Sequence, residues 1–108
     1  MAKITNGSRN VYEDLGYADA QGMLLKAGLA AEISRILRKR KLNQLRAADV
    51  LGISQPKLSN ILRGHFRGVS EAKMIECLTR LGQDIKVEIR PARRSRDQGE
   101  VRVSHVAA

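Results

Sequence analysis

The chain has 108 residues, the length of one domain, and a formal net charge of +9. Its only aromatic residues are Tyr12, Tyr17 and Phe66, so a core must be built from aliphatic side chains, which suits packed helices. No apolar run approaches the ~18 residues of a membrane span, and the first ten residues lack the apolar segment of a signal peptide. A single cysteine, Cys77, excludes an internal disulfide framework and a multi-cysteine zinc site. The simplest interpretation is a soluble, cytoplasmic protein.

Positive charge is concentrated in the middle third of the sequence. Residues 31–64 contain eight basic and two acidic residues, a net charge of +6, whereas residues 1–30 contain three of each sign. A basic segment of this kind is typical of proteins that bind a polyanion such as nucleic acid. A solvated lysine-rich face would give the same count, so both interpretations stay open on charge alone.

The N-terminal part is predicted to be an arm followed by one long helix. Residues 1–18 form the arm, disordered up to residue 9, with a short turn or single helical turn at "NVYEDLGY". Asp19 is the candidate N-cap of a helix that reaches about Lys41, with room for a kink near Gly28. The helical spacing of its apolar residues supports it: Leu25, Leu29, Ile33, Ile36 and Leu37.

Three shorter helices follow, and each has a capping residue before it and a glycine after it. Asn or Ser side chains accept hydrogen bonds from the first free N–H groups of a helix, and glycine readily takes the left-handed conformation that ends one. The predicted helices, with cap and stop, are 44–51 (Asn43, Gly52), about 55–63 (Ser54, Gly64) and 71–81 (Ser70, Gly82). Residues 19–82 therefore form one helical domain.

The stretch "QDIKVEIR" alternates polar and apolar residues and predicts a β-strand within residues 83–91. Ile85, Val87 and Ile89 share one face. A strand needs a partner for its backbone groups, and "AKIT" at residues 2–5 is the only weak candidate within the chain. We therefore predict that the three apolar residues pair with the same strand of a second subunit in an antiparallel, twofold contact.

The remaining residues, 92–108, are rich in Arg, Ser and Gly and are predicted to be a disordered basic tail. Arg93, Arg94 and Arg96 either add nonspecific affinity for DNA or only keep the chain soluble. The sequence favours neither role.

The segment "QLRAADVLGISQPKLSNILRG" has the spacing of a helix-turn-helix. Ala48 is small enough for two helices to approach closely, and Gly52 supplies the positive φ of the turn. Leu58 and Ile61, three residues apart, fix the second helix to the core. In this motif the second helix is presented to the major groove of DNA.

The outer face of that second helix is polar and lacks acidic side chains. With Gln55 at 0° and ~100° per residue, the apolar residues cluster on one side and polar residues occupy the other. The predicted base-facing residues are Gln55, Pro56, Ser59 and Asn60. Gln, Asn and Ser offer the donors and acceptors that read base edges. The alternative is an ordinary solvated face of a small helical protein.

Phosphate contacts are predicted at both ends of the motif. Helix N-termini attract phosphates, and Lys and Arg beside a recognition helix position a protein on DNA without reading sequence. The candidates are Asn43, Gln44, Lys57, Arg63 and Arg67. Asn43 also fits a plain N-cap, and Arg67 fits an exposed loop residue. His65 is interpreted as a loop or phosphate-contacting residue, Phe66 as a hydrophobic plug, and Cys77 as a small buried side chain.

The segment "LNQLRAADVLGISQPKLSNILRG" resembles the DNA-binding domain of the Xre family of lambdoid-repressor-like proteins. The wider span of residues 10–91 resembles its small HigA-like antitoxin branch, which is encoded beside RelE-like toxins. The resemblance implies a mainly α, lambda-repressor-like bundle of about five helices with one C-terminal strand used in dimerisation. It also implies that Gln44 touches a phosphate and braces Gln55, and that positions 56 and 60 face bases. Pro56 departs from the family pattern, since proline cannot make the side-chain hydrogen bonds that a Gln there would make. It can offer a base only apolar contact.

Three functions remain at this stage. The first is a homodimeric repressor that binds a palindromic DNA operator and, by the resemblance, neutralises a RelE/HigB-like toxin. The second is a stand-alone Xre-type regulator with no toxin, and the third is a protein-interaction module that binds an acidic partner. An enzyme is not expected, since no catalytic arrangement, glycine-rich phosphate loop or metal cluster is evident. No cofactor and no membrane partner are expected.

Overall fold

The computed structural model describes residues 2–3, 20–94 and 97–106. The elements in chain order are β1 (Ala2–Lys3), α1 (Ala20–Lys39), α2 (Gln44–Leu51), α3 (Gln55–Leu62), α4 (Glu71–Arg80) and β2 (Ser104–His105). The mainly α architecture is confirmed, with four helices in the described residues where about five were expected. The expected turn at residues 10–17 and the Asp19 cap lie outside the described residues.

The starts of the three short helices are confirmed by their capping hydrogen bonds. The Asn43 Oδ1 accepts from the Arg46 N–H at 2.8 Å. The Ser54 and Ser70 hydroxyls accept from the N–H groups three residues later at 3.2 and 3.1 Å. Each cap supplies an acceptor to an N–H that has no partner within its own helix.

Helix α1 is continuous from Ala20 to Lys39, so it is not broken near Gly28. The helix ends two residues before the predicted end because Lys41 takes a positive φ of 55°. The Lys41 N–H then bonds to the Arg38 carbonyl at 3.1 Å and the Leu42 N–H to the Leu37 carbonyl at 3.0 Å. This double hydrogen bond is a Schellman ending, which usually carries glycine at the left-handed position.

The core lies where all four helices meet and is aliphatic, as the composition predicted. Its fully buried residues come from every helix and from the residue after α4: Ile33, Leu51, Leu58, Ile61, Met74, Cys77 and Leu81. Phe66 and Val69 close the core from the loop between α3 and α4, with 3% and 6% of their surface exposed. The plug role of Phe66 and the burial of Cys77 are both confirmed.

Residues 83–90, predicted as a strand, have no regular secondary structure and pair with no strand in the described part of the chain. The apolar face points into solvent, with Ile85, Val87 and Ile89 exposed by 41%, 79% and 92%. The alternating sequence is compatible with extended backbone, but a ladder also needs a neighbouring edge. The described chain provides none at this position.

The end of the chain differs from the expected disordered tail. Residues 97–106 return to α1, and β2 pairs antiparallel with β1, with Ala2 opposite His105 and Lys3 opposite Ser104. The weak candidate strand near the start thus pairs with the chain's end and not with residues 83–90. The Val101 N–H bonds to the Gln21 Oε1 at 3.3 Å.

Gly28 explains why the tail fits against α1. A methyl group at position 28 would lie 2.7 Å from the Val103 Cβ, so the missing side chain leaves the notch that Val103 occupies. The His105 Nδ1 lies 3.0 Å from the Glu32 Oε1, one turn further along the same face of α1. A glycine that appeared to weaken the helix therefore has a packing role.

Candidate nucleic-acid interface

Helices α2 and α3 form the predicted helix-turn-helix, joined by a three-residue turn. Ala47 and Ala48 are buried, with 0% and 5% exposed, which lets the two helices approach closely. Gly52 has a φ of 67°, and its N–H bonds to the Asp49 carbonyl at 3.2 Å. The Arg80 guanidinium of α4 lies over the turn, where a Cβ on residue 52 would be 2.9 Å from Arg80 Nη1. Position 52 thus favours glycine for its backbone angle, and the flexible Arg80 side chain would have to move if a Cβ were present.

The C-terminal end of α1 braces this arrangement from the other side. Arg40 reaches across to α4, where its Nη2 donates to the Leu81 carbonyl at 2.5 Å. Leu81 is fully buried, and Gly82 follows it with a φ of 78°, just after the last helix. Arg40 therefore links α4 to the end of α1, and Arg80 lies against the turn of the helix-turn-helix.

Helix α3 buries one face and exposes the other. Leu58 and Ile61 are 0% and 1% exposed, which fixes the rotation of the helix about its axis. Gln55, Pro56 and Lys57 are exposed at its N-terminal end, and Ser59 and Asn60 are half-buried further along. The structure thus brings the four predicted base-facing residues to one surface.

Arg63 determines how the Asn60 amide is oriented. The Arg63 Nη2 lies 2.8 Å from the Asn60 Oδ1. Because a guanidinium only donates hydrogen bonds, the amide atom facing it must be the oxygen. That oxygen keeps a second lone pair, and the NH₂ group keeps its donors. Asn60 therefore retains both halves of the bidentate contact that recognises adenine.

The predicted phosphate contacts occupy the rim of the same region. Asn43 and Gln44 are exposed at the N-terminus of α2, where the helix dipole favours an anion. The Asn43 side-chain oxygen is used as the N-cap, so the plain-cap interpretation of this residue is confirmed. Lys57, Arg63 and Arg67 are exposed at the start of α3, just after it and in the following loop.

Cys77 and His65 have different surroundings. Burial raises the pKa of the Cys77 thiol above its ordinary value, which favours the neutral thiol over the nucleophilic thiolate. His65 is exposed in the loop after α3, and its N–H bonds to the Asn60 carbonyl at 2.7 Å. Cys77 therefore lies in the core, whereas His65 lies beside the polar face of α3.

One buried residue that contacts the loop after α3 was not predicted from the sequence. Lys26 is 7% exposed, and its Nζ donates to the backbone carbonyl of Arg67 at 2.9 Å. At helical spacing Lys26 lies on the same stripe of α1 as Ile33 and Leu37. A lysine on an apolar stripe was the available signal that its ammonium has an internal partner.

No helix in the described residues is long and apolar enough to cross a membrane. Residues 2–3, 20–94 and 97–106 also contain no group of three or more His, Cys, Asp or Glu side chains that could hold a metal ion.

Comparison with known proteins agrees with this geometry. The family described as "Helix-turn-helix domain" matches residues 11–90. A solved structure named "Putative XRE Family Transcriptional Regulator" is 36% identical in sequence, with a TM-score of 0.71, and the match covers 83% of this chain and 99% of that one. No curated protein matches the chain. The chain belongs to the XRE-type helix-turn-helix family of DNA-binding transcriptional regulators.

Proposed function

We propose that this chain is a transcriptional repressor that binds a palindromic DNA operator as a homodimer, in the cytoplasm. The observation that carries the proposal is the outer face of α3. It places Gln55, Pro56, Ser59 and Asn60 on one surface of a helix-turn-helix, with basic residues on its rim. Gln and Asn supply paired donors and acceptors to base edges, and Pro56 supplies an apolar surface suited to a thymine methyl group.

The homodimer is supported by the segment after α4. Ile85, Val87 and Ile89 present an apolar face to solvent on backbone that has no partner strand in the described chain. Antiparallel pairing with a second copy would satisfy the backbone groups and bring the apolar residues of both copies onto one face. Because a two-stranded ribbon alone is marginal, we expect packing of α4 to accompany it. Two recognition helices would then read half-sites about 34 Å apart, or a multiple of that distance.

The DNA-binding proposal is tested with a palindromic fragment from the protein's own promoter. We expect the double variant Gln55→Ala, Asn60→Ala to bind it at least about tenfold more weakly, because each bidentate base contact contributes ~1–3 kcal/mol of discrimination. The matched control is Thr79→Ala, Gln98→Ala, which removes two exposed polar side chains outside α2 and α3. Fluorescence anisotropy of labelled DNA measures all three affinities.

Two results would contradict the proposal. Unchanged affinity in the α3 double variant would remove α3 from the interface. Indifference of the unmodified protein to DNA at low salt would favour the protein-interaction module in its place. Binding should also weaken steeply as salt rises, because the basic rim displaces counterions from the phosphates.

We further propose that the protein acts as the antitoxin of a type II toxin–antitoxin pair, with a RelE/HigB-like toxin as its partner. This role is supported by the resemblance of residues 10–91 to HigA-like antitoxins. The competing function is a stand-alone XRE-type regulator, which the name of the similar solved structure favours. Co-expression with the neighbouring open reading frame distinguishes them: a small basic protein that co-purifies and is toxic alone supports the antitoxin. A neighbour that is neither toxic nor bound would leave the stand-alone regulator.

A further inference from the structure

Lys26 carries a charge in a position where helices normally carry an apolar side chain. It lies in α1 with 7% of its surface exposed, in the company of buried aliphatic residues. Burying an ammonium group is costly unless hydrogen bonds and an opposite charge replace the water it loses. The partners of Lys26 therefore indicate why a lysine is tolerated here.

One partner lies in the connection between α3 and α4, and the other is the first residue of α4. The Lys26 Nζ donates to the Arg67 carbonyl at 2.9 Å and lies 3.5 Å from the Glu71 Oε1. Arg67 is in the middle of the connection, and Glu71 begins α4. One ammonium thus ties the middle of this connection and the start of α4 to α1.

The middle of the connection is held by burial as well as by this tie. Phe66 and Val69 are buried on either side of Arg67, and the Val69 N–H bonds to the Phe66 carbonyl at 3.0 Å. Arg67 itself is exposed. The burial of Phe66 and Val69 and the hydrogen bond from Lys26 therefore both hold the backbone around Arg67. The Arg67 side chain extends from this backbone in the loop that follows α3.

We propose that Lys26 is a positioning residue for DNA binding: it sets the loop backbone from inside the protein so that the Arg67 side chain meets a phosphate of the operator. The inference rests on the proposed function and on the phosphate role of Arg67. Lys26 contacts no DNA, and its effect passes through the Arg67 carbonyl. A buried lysine thereby contributes to the affinity of the protein for operator DNA.

The test is a double-mutant cycle on the salt dependence of operator binding. Each phosphate contact contributes about 0.9 to the slope of log affinity against log salt, so Arg67→Ala should lower the slope of a dimer by ~1.8. The loss of affinity between 50 and 200 mM salt then becomes about tenfold smaller. We expect Lys26→Met to give the same change, and the double variant to give no more than either single variant.

Two controls separate positioning from stability. Leu25→Ala removes a half-buried side chain of α1 and should lower the melting temperature without changing the slope. Lys57→Ala removes a different rim cation and should add its own decrease to that of Lys26→Met. If Lys26→Met does not fold, Glu71→Gln takes its place, since the Glu71 side chain is 42% exposed. It should lower the slope part of the way and add nothing to Arg67→Ala.

The outcomes are distinguishable. An unchanged slope in Lys26→Met, or in Glu71→Gln if that variant decides, overturns the positioning role while the proposed repressor stands. An additive double variant with Arg67→Ala does the same, since Lys26 would then act by another route. An unchanged slope in Arg67→Ala overturns the inference and the phosphate role together. Failure of the unmodified protein to bind DNA overturns the proposed function and this inference with it.

Discussion

Lys41 holds a backbone conformation that side chains other than glycine rarely take. Its φ of 55° completes the Schellman ending of α1, and its side chain is exposed. The left-handed conformation costs an L-residue about 1–2 kcal/mol, and a glycine at this position would avoid that cost. The greater freedom of glycine in the unfolded chain would offset part of the resulting gain in stability. Sequence could not reveal this site, because the usual signal, a glycine, is missing.

We expect Lys41→Gly to raise the free energy of unfolding by about 0.5–1 kcal/mol. Urea unfolding followed by circular dichroism, at one protein concentration, measures the change. Lys39→Gly is the matched control: it places glycine within the last turn of α1 and should lower the same quantity by about 1 kcal/mol. A decrease in Lys41→Gly would show that the lysine side chain contributes more than its backbone costs.

Cys77 was predicted to be buried from its position beside apolar residues, and it is 0% exposed. Its pKa is raised by burial, so the neutral thiol predominates in the folded state. We expect iodoacetamide at pH 7.5 to modify Cys77 at least about 100-fold more slowly in the folded protein than in urea. Mass spectrometry after timed quenching measures both rates. Equal rates would show that the thiol reaches solvent without unfolding.

The same shift predicts how stability changes with pH. A thiol whose pKa is higher in the folded state stabilises the fold fully below its ordinary pKa of about 8.5 and loses that contribution as pH rises. Unmodified protein should therefore lose more stability than Cys77→Ala between pH 8 and pH 10. Thermal unfolding of the two proteins at matched pH measures the difference. A parallel decline would leave the buried thiol without a role in the pH response.

At the scale of elements, local patterns predicted what local physics determines. The caps at Asn43, Ser54 and Ser70 and the turn at Gly52 depend on residues within four positions of each other, and all were predicted correctly. The docked tail was missed because Gly28 and Val103 are far apart in the sequence. Glycine in a helix is normally read as a weakness, and nothing local indicates which residue fills the space it leaves.

The tail is held by a histidine whose Nδ1 has a partner in either tautomer of the ring. The His105 Nδ1 lies 3.0 Å from the Glu32 Oε1 and 3.0 Å from the Arg35 Nη2. With a proton on Nδ1 the ring donates to the carboxylate, and without one it accepts from the guanidinium. Glu32 and Arg35 also bond to each other at 3.2 Å. One contact is therefore available in either state.

We expect Gly28→Val to release the tail while keeping α1 helical. A side chain at position 28 would occupy the space of Val103, and valine favours the helix more than glycine does. Limited trypsin digestion should then cleave after Arg102 faster than in the unmodified protein. Ala31→Val adds a valine at an exposed position of the same helix and should leave the rate unchanged. If both variants are cleaved alike, Gly28 does not hold the tail.

At the scale of the whole molecule, the alternating pattern at residues 83–90 predicts pairing with the same strand of a second subunit, and within the described chain these residues pair with no strand. Val87 and Ile89 are among the most exposed apolar side chains described, so changing them costs the isolated chain little. Lysines there would repel across a twofold seam and place charge in its apolar contact. The double variant Val87→Lys, Ile89→Lys is therefore expected to be a folded monomer.

Light scattering measures the result directly. The variant should have the mass of one 12.0 kDa chain and bind operator DNA much more weakly, whereas the unmodified protein should have twice that mass. Lys86→Gln, Glu88→Gln alters the opposite face of the same segment and should remain dimeric. Val87→Pro, which removes a backbone donor from the ladder, should weaken the dimer as well. A dimeric lysine variant would place the seam elsewhere.

If the segment after α4 forms that seam, its pairing register determines how far apart the two subunits lie. Antiparallel strands advance ~3.4 Å per residue, and only slips of an even number of residues keep the apolar face on the same side. One allowed slip therefore moves the two subunits by about 7 Å, the length of roughly two base pairs of DNA. The pairing register of residues 83–90 would then set the distance between the two α3 helices in discrete steps. A variant whose residues 83–90 pair in a shifted register should therefore prefer an operator with a changed half-site spacing, although its α3 sequence is unchanged.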